Sequence, residues 1–109
     1  MDNAQLMKGI LEGLVLSIVA RGETYGYEIL SVLEDAGFES LGEGTLYPVL
    51  TRLDKNGLIA CRRAKSPLGP IRKYYSVTEK GKQELAEFRA RYAAISASAE
   101  KILEGHYES

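Results

Sequence analysis

The chain has 109 residues, 45% of them hydrophobic and 27% charged, with only 3 Pro, a composition that excludes a disordered or collagen-like polymer and fits one ordered globular domain. Its 14 Lys and Arg nearly balance 15 Asp and Glu, and the single Cys61 excludes an internal disulfide and any zinc site built from several cysteines. A domain of this size hides only about two-thirds of its unfolded surface, so a partner subunit would add much to its stability.

The opening Met1-Asp2-Asn3-Ala4-Gln5 lacks the basic start and small-residue cleavage site of a secretory signal, and the expected location is the cytoplasm. Leu6, Met7, Ile10, Leu11, Leu14, Val15, Ile18 and Val19 then recur at three- and four-residue spacings. They predict one amphipathic helix running to Arg21-Gly22. Lys8 and Glu12 leave an uncharged run only from Gly13 to Ala20, far short of the roughly 20 residues of a membrane span, so no membrane partner is expected. Gly9 and Gly13 lie one turn apart, a spacing that lets a neighbouring backbone approach closely. A second helix starts near Thr24 or Tyr25, with Tyr27, Leu30 and either Ile29 or Leu33 as its apolar stripe, and stops at Gly37.

A third helix follows the linker that holds Gly42 and Gly44. Leu46, Val49, Leu50 and Leu53 form its apolar face, Thr45 is read as its cap, Pro48 is placed in its first turn, and Gly57 ends it. Leu58 to Ala64 and Arg72 to Thr78 lose the helical period and read as two strands around the turn Ser66-Pro67-Leu68-Gly69-Pro70, a hairpin with a basic tip. Tyr74 and Tyr75 point to opposite faces, one toward the core and one outward. Thr78 caps a long last helix, in which Leu85, Phe88, Tyr92, Ile95, Ala99 and Ile102 recur at alternating spacings of three and four. Such a seam pairs with a second copy of the chain or folds back on its own core, and the dimer is the reading adopted.

Charge is unevenly spread along these elements. Between Arg52 and Lys82 stand Arg52, Lys55, Arg62, Arg63, Lys65, Arg72, Lys73, Lys80 and Lys82 against Asp54 and Glu79 alone, while the rest of the chain is strongly acidic. A cationic block on the third helix and the hairpin either meets a polyanion or is a solvated surface whose charges cluster, and the polyanion is the reading adopted. The order of three helices, hairpin and helix is that of a winged helix-turn-helix, mainly α with a small β-hairpin, followed by a long C-terminal dimerisation helix. Residues 1–78 would form the DNA-binding unit and 79–109 the dimerisation helix, packed with the first helix as one compact unit. With the apolar positions turned inward, Thr45, Pro48, Thr51, Arg52, Lys55 and Asn56 face solvent, and the hairpin adds Arg62, Arg63, Lys65, Arg72 and Lys73. The candidate contacts to double-stranded DNA are Thr45, Tyr47, Pro48, Thr51, Arg52, Lys55, Arg62, Lys65, Arg72 and Lys73. Tyr47 either touches the DNA backbone or seals the core beside Leu50; Arg52 either meets DNA or pairs with Asp54 or Glu43.

Three groups of residues occur in order: Tyr25-Gly26-Tyr27-Glu28; then Gly44-Thr45-Leu46-Tyr47-Pro48 with Leu50, Arg52-Leu53 and Gly57-Leu58-Ile59; then Arg72-Lys73-Tyr74-Tyr75 with Thr78-Glu79 and Gly81. Together, across residues 5–104, they resemble the PadR-like transcriptional regulators. The resemblance implies a homodimeric, DNA-binding repressor of a palindromic operator, of the short subgroup with a single terminal helix that exchanges contacts with the partner's first helix. It implies a dimer surface of Leu85, Phe88, Tyr92, Ile95, Ala99 and Ile102 with Leu6, Ile10 and Leu14. In some short members the dimer encloses a cavity for flat aromatic compounds, which here implies a small aromatic effector held by Met7, Leu11, Tyr92 and Ser96. Two departures stand out. There is no Trp, and Ala93, Ala94, Ser96, Ala97 and Ala99 either leave room for a ligand or let the helices close; and two prolines stiffen the wing tip.

Enzyme chemistry finds no constellation. His106 stands near the C-terminal end, Cys61 has no His in its segment, and neither a phosphate-binding glycine loop nor a paired-His metal motif occurs. Cys61 is an inert strand residue or, among Arg62, Arg63 and Lys65, a redox sensor. No metal or cofactor is expected. The alternative function is a winged-helix protein-interaction module whose basic face meets an acidic partner instead of DNA.

Overall fold

The computed structural model describes residues 3–39 and 41–106, which form α1 (Asn3–Met7), α2 (Leu11–Ala20), α3 (Gly26–Asp35), α4 (Glu43–Lys55), β1 (Ile59–Lys65), β2 (Ile71–Val77) and α5 (Glu79–Leu103). Residues 1, 2, 40 and 107–109 lie outside that description, including the last three of the expected terminal segment. The architecture is the expected winged helix, mainly α with one antiparallel hairpin and a long final helix.

The single first helix expected from periodicity is broken in two. Gly9 takes φ of +97°, a left-handed conformation that stops α1 and lets α2 restart at Leu11. An unbroken helix and a broken one keep nearly the same apolar spacing across one turn, so the periodicity could not tell them apart. Gly13 serves the close approach expected of it: it is buried, and a Cβ there would overlap the tip of the Phe88 ring of α5. In α3 the inward residues are Ile29 and Leu33, and Tyr27, read as part of the stripe, is 67% exposed. The α4 cap also differs. Gly42 occupies the N-cap with no side-chain bond, Thr45 lies in the first turn, and Pro48 sits one turn deeper than expected.

Four helices and the hairpin share one core, made by Val15, Leu16 and Val19 of α2, Ile29 and Leu33 of α3, Leu46, Val49, Leu50 and Leu53 of α4, with Leu58, Ile59, Tyr75 and Leu85. The strands pair from Ile59↔Val77 to Lys65↔Ile71, which directs Ile59, Cys61, Tyr75 and Val77 toward that core. Thr24 adds a one-residue bridge to Tyr75 on the other side of β2. Thr78 caps α5 as expected, accepting from the Gly81 N–H at 3.0 Å, and donates its hydroxyl to the Gly57 carbonyl at 2.7 Å. Gly81 itself lies so close to β1 that a Cβ would collide with the Leu58 carbonyl. These contacts lock the root of α5 to the wing. Beyond Phe88 the helix leaves the core, and from Arg89 to Leu103 every residue except Ser96 is exposed. The described chain consequently measures 60 × 30 × 20 Å.

Candidate nucleic-acid interface

The buried residues of α4 fix what its other sides present. At 100° per residue, Gly44, Pro48, Thr51 and Lys55 lie opposite Leu46, Val49, Leu50 and Leu53, and all four are exposed. Thr51 donates its hydroxyl to the Tyr47 carbonyl at 2.9 Å, which fixes its rotamer and leaves its oxygen as an acceptor. Tyr47 occupies the flank toward α3. It is 41% exposed, and its hydroxyl fills the space where a Cβ on Gly26 would come within 3.0 Å. Thr45 and Arg52 occupy the other flank, toward α1 and α2. There Arg52 closes an ion pair with Glu12, Nε to Oε1 at 2.5 Å, rather than with Asp54 or Glu43.

The wing stands beside α4 across an open cleft of about 450 Å³, lined by Tyr25, Tyr27 and Tyr47 on one side and Ile71, Arg72, Lys73 and Tyr75 on the other. The tip is not itself basic. Ser66 ties it by donating to the Pro70 carbonyl at 2.9 Å, and Leu68 at its apex is fully exposed. The cations flank it. On the face of Cys61 and Tyr75, Arg63 stands directly opposite Lys73 in the strand register, a like-charge pair that disfavours the hairpin in the absence of an anion. On the opposite face Arg62 meets Glu23 in a forked pair, Nε and Nη2 each 2.7 Å from a carboxylate oxygen. That hydrogen bond holds the Glu23 carboxyl below, and the Arg62 guanidinium above, their ordinary pKa values. Among the described residues, the side chains of Lys55, Arg63, Lys65, Arg72 and Lys73 have neither a hydrogen-bond nor an ion-pair partner, whereas Lys80 donates to the Asn56 carbonyl and Lys82 pairs with Glu79.

The expected dimer residues divide along α5. Leu85 is buried and Phe88 half-buried against α2 of the same chain; Tyr92, Ile95, Ala99 and Ile102 are exposed, as is Leu6, and Ile10 and Leu14 are half-buried. The four expected effector residues do not share one site within the chain. Met7 and Leu11 border an open apolar groove of about 700 Å³ against Pro48 and Val49, whereas Tyr92 stacks on Phe88 with ring centres 5.9 Å apart, and neither it nor Ser96 lines the groove. No helix among the described residues is long and apolar enough to cross a membrane.

Residues 15–87 match the model of the PadR-like family of transcriptional regulators. The chain belongs to that family. A PadR-like transcriptional regulator of Bacillus cereus, 41% identical, has the same fold with a TM-score of 0.81 over 91% of this chain and 96% of that one. An uncharacterised protein of Lysinibacillus sphaericus is 30% identical over 107 residues, which is 96% of this chain and 98% of its own. Bacillus subtilis PadR, a negative transcriptional regulator, is 33% identical over 88 residues, and this PadR-like chain spans 48% of its length. The structure of Bacillus subtilis PadR with operator DNA matches 72% of this chain and 46% of that one, at 31% identity and a TM-score of 0.66. Both named relatives of this PadR-like protein are transcriptional regulators.

Sequence reasoning missed Glu12 and Glu23, the acids that occupy Arg52 and Arg62. Each is some 40 residues from its partner, and no local pattern announces a contact of that range. It also missed Tyr25, although Tyr25 opens the first of the three family-like groups.

Proposed function

We propose that this PadR-like chain is a homodimeric repressor that binds a palindromic operator, with α4 in the major groove and the wing on the adjacent backbone. The observation that carries the reading is the set of unpartnered wing cations, above all Arg63 opposite Lys73. Directly opposed like charges destabilise a hairpin, a cost that a phosphate between them removes. Gly44, Pro48, Thr51 and Lys55 then face base edges, while Arg63, Lys65, Arg72 and Lys73 supply phosphate contacts. The Bacillus subtilis relative solved with operator DNA supports the same use of the fold.

In this reading residues 1–78 bind DNA in the cytoplasm, and 79–109 pair two copies. Support comes from Tyr92, Ile95, Ile102 and Leu103, which are 47–79% exposed on the stretch of α5 that has left its own core. The pairing sets the two α4 helices about 34 Å apart, one turn of DNA. A flat aromatic effector would be held in the dimer, beside Tyr92 and the small Ala93, Ser96 and Ala97.

Fluorescence anisotropy with a duplex from the upstream region of the gene, against scrambled DNA and over a salt series, tests the central claim. A preference for the native duplex with a slope of about −5 to −9 in log affinity against log salt is expected for 6 to 10 neutralised phosphates. Tight binding to an acidic protein, with a shallow slope and no duplex preference, would replace the operator reading by the protein-interaction one.

A further inference from the structure

Thr24 joins β2 as a one-residue third strand, its N–H 3.0 Å from the Tyr75 carbonyl and the Tyr75 N–H 2.7 Å from its own. The next residue, Tyr25, is thereby set beside Tyr74, which faces Arg62 across the hairpin. The result is a stacked row on the face of the wing turned away from the core. The Arg62 guanidinium lies 4.8 Å from the Tyr74 ring centre. Tyr74 and Tyr25 meet edge to face at 6.0 Å, and the Arg72 guanidinium closes the row 4.0 Å from the Tyr25 ring centre.

The two arginines at the ends of this row are chemically unlike. Arg62 directs Nε and Nη2 into both oxygens of Glu23, so the fork that would hold a phosphate already holds a carboxylate, whose charge also repels one. Arg72 lies with its guanidinium carbon over the Tyr25 ring and has no carboxylate on its fork. Its N–H donors have no partner among the described residues, and it borders the cleft between the wing and α4. An arginine already held against a ring loses less side-chain freedom when it takes up a ligand than a free one does.

We propose that Tyr25 is a positioning residue for DNA binding, holding the Arg72 guanidinium at the cleft so that it grips one backbone phosphate, while Arg62, its fork taken up by Glu23, contacts none. This rests on the DNA-binding reading and assigns different work to two arginines that composition treats alike. The backbone bridge between Thr24 and Tyr75 sets Tyr25 beside β2. The place of its ring therefore does not depend on Arg62.

The test is the salt dependence of operator affinity in the full chain and its variants, each checked for folding by thermal unfolding. Arg72→Ala and Tyr25→Leu should each weaken binding about tenfold and flatten the salt slope by about one unit. Tyr25→Phe should bind like the parent, and the double variant Tyr25→Leu with Arg72→Ala should be no weaker than Arg72→Ala alone. Arg62→Ala should leave the slope unchanged. Should Tyr25→Leu not fold, Tyr25→Met keeps apolar volume without a ring face and is expected to behave as Tyr25→Leu. Three results overturn the proposal: weaker binding by Tyr25→Leu at an unchanged slope, additive losses in the double variant, or a flattened slope in Arg62→Ala. Absence of operator binding by the parent chain itself would instead remove the underlying reading, before any variant is compared.

Discussion

Glu12 reaches from α2 to the guanidinium of Arg52, so one cation of α4 is held by an acid at the side of the helix rather than offered at its front. Both side chains are about half exposed, and a pair of that kind contributes little to stability. Its weight is in recognition. Glu12→Gln should release Arg52 and remove a negative charge near the bound phosphates, raising operator affinity about two- to fivefold at low salt and less at high salt, as screening requires; unchanged affinity by anisotropy would show that Arg52 has no reach to DNA. A second residue-scale outcome concerns alkaline pH. Burial against the core pushes the Tyr75 hydroxyl from 10.0 up to about 12. The folded chain therefore holds this proton where the unfolded chain releases it, so the associated stability is complete below 10.0 and is lost as the pH rises toward about 12. Urea midpoints should fall across that window, and Tyr75→Phe should reduce the fall. An identical fall in the variant would assign it to another group.

Elements were legible in the sequence wherever a local cause set them. Thr78 three residues before Gly81, the proline-rich turn of the wing and Gly57 after α4 are local signals of capping, reversal and termination, and each acts where expected. What escaped left no distinguishing mark in the local pattern. Gly9 breaks the first helix although its neighbours keep a helical period, and Ile29 rather than Tyr27 turns inward because α2 and α4 lie on that side of α3. The cations of α4 and the wing were legible as a cluster, but their partition into free and paired ones depends on Glu12 and Glu23, which arrive from distant segments. Thr78 offers the test at this scale, because its hydroxyl serves both α5 and the end of α4. Thr78→Ala should cost about 1 kcal/mol, lowering the melting temperature by about 4–8 °C. A smaller change in calorimetry would mean that backbone contacts at Gly81 hold the root of α5 unaided.

At the scale of the molecule, folding and pairing occupy different lengths of one helix. Leu85 and Phe88 belong to the core of their own chain, whereas Tyr92, Ile95, Ile102 and Leu103 are left to solvent. Tyr92→Glu should therefore convert the dimer to a folded monomer, because it buries an unpaired charge at the proposed seam and leaves the core intact. Sedimentation velocity showing an unchanged dimer mass would place the seam elsewhere, and loss of helical circular dichroism would show that the core itself extends to Tyr92.

Between Lys82 and Leu103 there is neither glycine nor proline, and α5 runs without interruption. A rod of this kind has no joint at which motion can be absorbed. Its fulcrum is the contact of Phe88 with Gly13, and the overhang to Leu103 is about 22 Å at about 1.5 Å per residue. Tilting the far end by about 4 Å thus rotates the rod by about 10° against α2, the helix that also holds Arg52 through Glu12. In the proposed dimer, anything wedged between two such overhangs would act on α2 as torque, with the rod as the lever.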